Sequence, residues 1–268
     1  RDESPFFVGE NMKKLVPVLA AFAGWYMYNK NQTRVFRIRT PEIALRRATR
    51  SFRITQITDF HNHRHIDPVQ VAEAVRVFSP MCIALTGDLI SEDDTDFTKA
   101  LQLARALVAT KIPVLFVSGN HESQNPQAEK LFHALTGLGV VLLGGKSIEF
   151  PEVVVSGVDY PARANVVPHP KTADKPHIFL AHSSSDIKSV RIDADLILSG
   201  HTHGGQVRLP GIGAIIVPSE GFFAKVNKGL YEWNQNLLYI DSGIGNTRLD
   251  LRTFNPIQFT NMIITAHR

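Results

Sequence analysis

From residue 52 onward the chain alternates short aliphatic runs with stretches whose apolar residues recur at helical spacing, a rhythm that predicts an α/β fold. The strand-like runs are "SFRITQITD", "MCIALTGD", "PVLFVSGNH", "VVLLGG", "VVVSGVDY", "HIFLAHS", "ADLILSGHTH" and "LLYIDSG". Helical patterns fall at Pro68 to Ser79, Thr95 to Thr110 and Gln127 to Leu138. Asp67 can cap the first of these, and Pro68 then takes a position in the first turn where its missing N–H costs nothing. No internal repeat or low-complexity linker interrupts the pattern, so residues 51–268 are expected to form one domain and residues 1–50 an extension to it.

The polar residues stand where the aliphatic runs stop. Asp59 and His61, Asp88, Asn120 and His121, His182, and finally His201 and His203 each follow a strand-like run directly. In open α/β sheets ligands collect beyond the carboxyl ends of strands, so five such exits can converge on one place. Glycines beside them, Gly87, Gly119, Gly200, Gly204 and Gly205, suit tight turns and close backbone approach. Any one of these signals alone is an ordinary turn or a surface histidine. All five together, in order, describe a site.

The donor types indicate the chemistry. Carboxylates, imidazoles and an amide oxygen without thiolates suit borderline divalent ions such as Mn, Fe or Zn, and seven candidate ligands are enough for two of them. Two ions about 3.5 to 4 Å apart can clamp the attacking and leaving oxygens of a phosphoryl displacement, so no protein nucleophile is required. The sequence carries neither a GxSxG elbow nor a P-loop, in agreement with that reading. The single cysteine, Cys82, lies inside an apolar run and excludes both a disulfide framework and an all-cysteine metal site.

Charge changes the picture at the N-terminus. The net charge of +4 is concentrated there, in Lys30, Arg34, Arg37, Arg39, Arg46, Arg47, Arg50 and Arg53. No aromatic ladder or DNA-binding motif accompanies these residues, which argues against a nucleic-acid partner and for a membrane surface. Immediately before them Leu15 to Tyr28 is uninterrupted apolar sequence flanked by lysines, with Trp25, Tyr26 and Tyr28 at one end. Fourteen helical residues reach roughly 21 Å, short of the roughly 30 Å hydrocarbon core, so a span would need snorkelling lysines or a thin bilayer. The expectation is a membrane-associated protein with a single N-terminal anchor at about residues 15–28 and a basic linker behind it. The excess of basic residues after the anchor favours the cytoplasmic face. Met12 followed by two lysines reads as a natural start, so residues 1–11 are expected to be an upstream extension.

The ordered set "DFH", "GD", "GNHE", "AHS" and "GHTHGGQ" resembles the calcineurin-like metallophosphoesterases. The stretch "SGHTHGGQVRLP", followed by "KGLYEWNQNLLYIDSGIGN" and "LRTFNP", is similar to the bacterial membrane-anchored YkuE and YaeI type within that superfamily. The resemblance runs from about Phe52 to Ile264. It implies two packed mixed β-sheets flanked by helices, an αββα sandwich, with a dinuclear centre at the strand ends. It also implies that Asp59, His61 and His203 bind one metal, that Asn120, His182 and His201 bind the other, and that Asp88 bridges. His121 would act as general acid or phosphate clamp, and Glu122 would orient it. "AHSSSD" departs from the family, which often has Pro or Arg near that histidine, and "TDFHNHRH" carries extra histidines. Arg208, Arg252 and His63 are weaker candidates for the substrate rim.

The resulting expectation is a metal-dependent phosphoesterase, a phosphodiesterase acting near a membrane on a lipid-linked or other phosphodiester or pyrophosphate. Two alternatives stand beside it. A non-catalytic scaffold on the same fold would be expected to have lost a ligand or the proton-handling histidine, and none is lost. A nuclease of the same fold would draw on the basic charge, but that charge lies beside the apolar segment, away from the motifs.

Overall fold

A computed structural model describes residues 6–162, 174–188, 190, 192–217, 220–246 and 251–267. In chain order its elements are α1 (Phe6–Gln32), β1 (Arg37–Arg39), β2 (Glu42–Leu45), β3 (Phe52–Ile57), α2 (Pro68–Phe78), β4 (Cys82–Thr86), α3 (Thr98–Ala109), β5 (Val114–Val117), α4 (Asn120–Gln124), α5 (Ala128–Leu138) and β6 (Val141–Leu142). These are followed by β7 (Lys146–Glu149), β8 (Val154–Val158), β9 (His177–Ala181), β10 (Leu196–Ser199), β11 (Val207–Leu209), β12 (Gly213–Val217), β13 (Gly221–Phe222), β14 (Gly229–Trp233), β15 (Asn236–Ile240) and β16 (Gln258–Ala266).

Two mixed sheets pack face to face. The first runs β1, β16, β3, β4, β5, β6, with β2 also on β16, and the second runs β14, β15, β10, β9, β8, β7. Strands β3 to β6 are mutually parallel, as are β8, β9, β10 and β15. Strands β4, β5, β8, β9 and β10 are buried along their whole length, which is why they read as continuous aliphatic runs with no polar alternation. Ile54, Ala84, Leu115 and Val117 of the first sheet meet Val155, Ile178, Leu180, Leu196 and Leu198 of the second. The outer face of the first sheet, through Ile57, Ile83, Leu85 and Phe116, packs on Val71 and Val75 of α2, Leu103 and Leu107 of α3, and Leu131 and Leu135 of α5. Phe179, Ile197 and Leu238 on the outer face of the second sheet are covered by Ile187 and Ile192. No α-helix lies between β6 and β16 among the described residues.

The eight strand-like runs all become strands, and α2, α3 and α5 lie within the three predicted helical stretches. Asp67 caps α2 as expected, its carboxylate accepting from Val69 N–H. The first sheet, however, begins inside the segment read as a basic linker. β1 and β2 pair with β16, and β2 buries Ile43 and Leu45 between the sheets. Three- and four-residue strands are too short for their period to show. β16 is central to the sheet, antiparallel to β3, and carries buried Gln258, Thr260 and Asn261, polar residues that erase the hydrophobic signature.

The α1 helix is longer than its apolar stretch. Residues 13–28 are exposed, and its C-terminal end docks on the domain. There Thr253 Oγ1 donates to Asn29 Oδ1 (2.7 Å), Ile257 N–H donates to Gln32 O (2.9 Å), and the Tyr28 and Phe254 rings lie 5.4 Å apart. No helix among the described residues is long and apolar enough to cross a membrane. Lys13 and Lys14 on one side and the polar stretch from Asn29 on the other confine the apolar segment, and Pro17 lies within it.

Candidate metal centre

All five strand exits arrive at one point, and the backbone turns sharply to bring them there. Asp59, His61, Asp88, His201 and His203 have φ between 47° and 70°, the left-handed region that non-glycine residues seldom adopt. Strain of this kind gathers where side-chain placement matters more than local comfort. Gly87, with φ of 90°, follows the same turn, and a Cβ there would stand 2.6 Å from His182 Nδ1.

The side chains form overlapping groups able to hold metal ions. Asp59, His61 and His203 make one, Asp88, His182 and His201 a second, and His61, Asp88 and His121 a third that overlaps both. His61 Nε2 faces His203 Nε2 at 3.2 Å, and His203 Nε2 lies 3.5 Å from Asp59 Oδ1. On the other side His182 Nε2 is 3.0 Å from Asp88 Oδ2, 3.1 Å from Asn120 Oδ1 and 3.2 Å from His201 Nδ1. Asp88 Oδ2 is also 3.8 Å from His61 Nε2, so this one oxygen stands between the two clusters.

Electrostatics agree with a site built around positive charge. Burial would raise the Asp88 carboxyl, yet His182, then His61 and His121, hold it well below the usual carboxylate range. Burial would lower His182, but the charge and hydrogen bond of Asp88 push it up to about 10. Burial and the neighbouring Asp88 charge, opposed by His182, push Asp59 up to about 7. Burial lowers His61 to about 3 and, aided by the His182 charge, His201 to about 4, so both rings are neutral and keep a free lone pair at physiological pH. His182 Nδ1–H donates to Thr86 O (2.8 Å), which leaves Nε2 as the coordinating atom. This donor set fits divalent cations.

His121 differs from the others. It is partly exposed, and its Nδ1 accepts from Glu92 N–H (3.1 Å), so in the neutral ring the proton sits on Nε2, 3.9 Å from Asp88 Oδ2. Glu122 does not orient it. The buried Glu122 carboxylate accepts instead from the N–H groups of Asp88 (2.8 Å), Leu89 (2.6 Å), Ile90 (3.2 Å) and Gly119 (2.7 Å), tying the Asp88 turn to the start of α4. Burial, then the Asp88 charge, push its carboxyl up to about 7.

The three rim candidates are placed differently from the expectation. His63 would share a face with His61 only on an extended segment, and His61 and Asn62 are left-handed. The His63 ring is turned into the protein, where Nδ1 accepts from His65 N–H and Nε2 meets Asn246 Nδ2 at 3.2 Å. Arg252 is 1% exposed and donates to Gly245 O (2.7 Å) and Asn246 Oδ1 (3.0 Å), with Nη2 3.1 Å from His203 Nδ1. It buttresses the His203 loop and does not line an open rim. Arg208 Nη1 donates to Gly204 O (2.5 Å) and Asn227 Oδ1 (2.6 Å). Sequence reasoning missed Asn255, a buried amide that donates to His203 O (2.7 Å) and Gly205 O (2.9 Å), because a lone asparagine in "TFNP" carries no local signal.

Residues 52–205 match the family model of the calcineurin-like phosphoesterases. The chain belongs to that family. As a calcineurin-like phosphoesterase it is a metal-dependent phosphoester hydrolase. Its relatives include an uncharacterized metallophosphoesterase of Bacillus subtilis, YkuE, 29% identical over 75% of this chain and 74% of its own length. Another is the phosphodiesterase YaeI of Escherichia coli, 29% identical over 73% of this chain and 76% of its own. Among solved structures, a dimetal phosphatase from Danio rerio aligns with 72% of this chain and 87% of its own at 12% identity and a TM-score of 0.46. The family match ends at Gly205, so it includes every candidate ligand.

Proposed function

We propose that the centre holds two divalent cations of the Mn, Fe or Zn kind and hydrolyses phosphodiesters at a membrane surface. Asp59, His61 and His203 serve one cation, Asn120, His182 and His201 the other, and Asp88 is shared. The observation that carries this reading is Asp88 Oδ2, lying 3.0 Å from His182 Nε2 and 3.8 Å from His61 Nε2. Bound cations supply electrophilic neutralisation of a phosphoryl group and activation of water. The chain's own contribution to the chemistry is His121, whose Nε2–H is the proton donor for the departing oxygen, with Glu92 N–H holding the ring in that tautomer. Preference for a diester is supported by the relative named as a phosphodiesterase. A membrane location is supported by the exposed apolar residues of α1 and by the absence of acidic residues from Asn11 to Pro41, a stretch that includes six basic ones. The attachment proposed is peripheral, at the interface.

The test is metal analysis of the purified chain beside hydrolysis of bis(4-nitrophenyl) phosphate and 4-nitrophenyl phosphate. About two ions per chain and faster diester hydrolysis are expected. Asp88→Asn should empty both sites and slow hydrolysis at least a hundredfold, roughly the worth of one preorganised charge contact. His61→Ala should mainly empty one. Metal content near zero with Mn and Zn freely supplied would refute the reading.

A further inference from the structure

The three-stranded sheet β11, β12, β13 takes no part in either core between the main sheets, yet it is joined directly to the His203 loop. β11 begins four residues after His203. Arg208 ties it to Gly204 O, and a Cβ on Gly205 would collide with Ala214 of β12. This small sheet displays large apolar side chains to solvent, with Ile212 at 65%, Phe222 at 73% and Phe223 at 59% exposure, and with Leu209 and Ile216 beside them. Exposed apolar area of this density marks an interaction surface. It is also continuous with a second such surface. Arg208 N–H donates to Thr253 O, and the next residue, Phe254, is half-exposed, shares a hollow with Leu209, Pro210 and Ile212, and packs on Tyr28 at the end of α1. Tyr28 in turn leads back through the exposed Met27, Tyr26, Trp25 and Phe22.

Charge selects the occupant. Residues 11–41 contain no acidic side chain, and the one acid of the small sheet, Glu220 in the β12–β13 turn, is paired with Lys188 (3.8 Å). Exposed Arg34, Arg37 and Arg39 flank Val35 and Ile38 where the chain leaves α1, and exposed Lys225 follows Phe222 and Phe223. Apolar and aromatic residues bordered by basic ones, with the single acid already paired to a lysine, complement the interface of an anionic bilayer.

We infer that the β11–β13 sheet and Phe254 form, together with α1, one face that docks on an anionic phospholipid bilayer, so that the metal centre beside it meets phosphoesters presented by lipids of that same bilayer. This deepens the membrane-surface reading above and rests on it. The small sheet grips the bilayer at the site, whereas α1 holds it from the chain's N-terminal side.

The experiment uses the full chain and a variant carrying Ile212→Ser, Phe222→Ser and Phe223→Asn. All three positions are exposed, and none belongs to the metal centre. Both proteins are sedimented with vesicles of phosphatidylcholine containing 30% phosphatidylglycerol, and with phosphatidylcholine alone. Hydrolysis of bis(4-nitrophenyl) phosphate serves as the control for folding. The variant should keep its hydrolysis of the soluble ester and lose vesicle binding about tenfold or more, as expected when several buried apolar groups leave a bilayer contact. Wild-type binding should weaken on the neutral vesicles. A Phe222→Trp variant, compared with wild type to subtract Trp25 and Trp233, should gain a fluorescence component quenched by brominated acyl chains, a readout independent of the triple variant's folding.

Unchanged vesicle binding in the triple variant, with binding lost on Trp25→Glu in α1, would overturn the inference and leave the membrane-surface reading standing. No vesicle binding by the wild-type chain would sink both. A wild-type dimer that the triple variant dissolves, with no effect on vesicles, would identify the face as an interface between two copies and overturn the inference.

Discussion

His121 and Lys228 show how far a single side chain's surroundings fix its part. His121 offers Nε2–H beside Asp88 and stands partly exposed, whereas the candidate ligands Asp59, His61, Asp88, His182 and His203 are buried. His121→Gln removes the titratable proton and keeps similar bulk. Metal content should therefore stay unchanged while the rate falls roughly 10² to 10⁴-fold, the usual worth of general acid catalysis. Alkyl esters should suffer much more than nitrophenyl esters, because an alkoxide needs the proton and a nitrophenolate does not. Equal slowing of both would make His121 a clamp on the phosphate. Lys228 is a different case: burial lowers its ammonium to about 7, partly offset by the Asp241 charge, and its Nζ donates to Asn255 Oδ1 (3.0 Å). Between about pH 7 and 10.5 the unfolded chain binds this proton and the folded chain does not, so this group makes stability rise with pH across that window. Lys228→Met should flatten that rise in thermal midpoint, measured by calorimetry from pH 7 to 10. An unchanged slope would show that the ammonium is not the source.

At the scale of elements, the domain does not begin where its periodic pattern begins. β2 buries Ile43 and Leu45 between the two sheets, and each such side chain is worth about 1.5–3 kcal/mol. A chain starting at Phe52 should therefore be several kcal/mol less stable than one starting at Asn29. The Asn29 chain keeps β1, β2 and the contacts of Asn29 and Gln32 with Thr253 and Ile257. Urea unfolding of both, beside their hydrolysis of a soluble diester, checks this. Equal midpoints would mean that β1 and β2 are dispensable decoration.

For the whole molecule, the two sheets meet over an apolar core, but their strand ends gather buried carboxylates and imidazoles at one edge. Burial and the Asp88 charge raise the cost of ionising Asp59 there, and bound cations would relieve it. Metal binding is then part of the folding free energy, worth about 2.7 kcal/mol when the free ion stands at a hundred times its dissociation constant. Chelation should lower the thermal midpoint by about 5–10 °C for a domain of this size, and added Mn or Zn should restore it. A midpoint indifferent to chelator would place the ions outside the folded core.

The chain's own order of residues determined the α/β class, the eight aliphatic strands and the five polar exits, because buried parallel strands and glycine-flanked turns each leave a local signature. It also named every residue that the structure gathers into the metal-holding groups. Residue types and spacing did not show how these residues divide into groups; the family resemblance alone implied a division, and the tertiary structure brings the groups together. His201 and His203, two residues apart, fall into different clusters because each is left-handed and the turn aims them apart. The short strands β1 and β2, the polar central strand β16, the four N–H groups converging on Glu122 and the burial of Arg252 were equally illegible. Each depends on partners far along the chain, and the identity of a residue does not reveal whether its polar group will meet solvent or another loop.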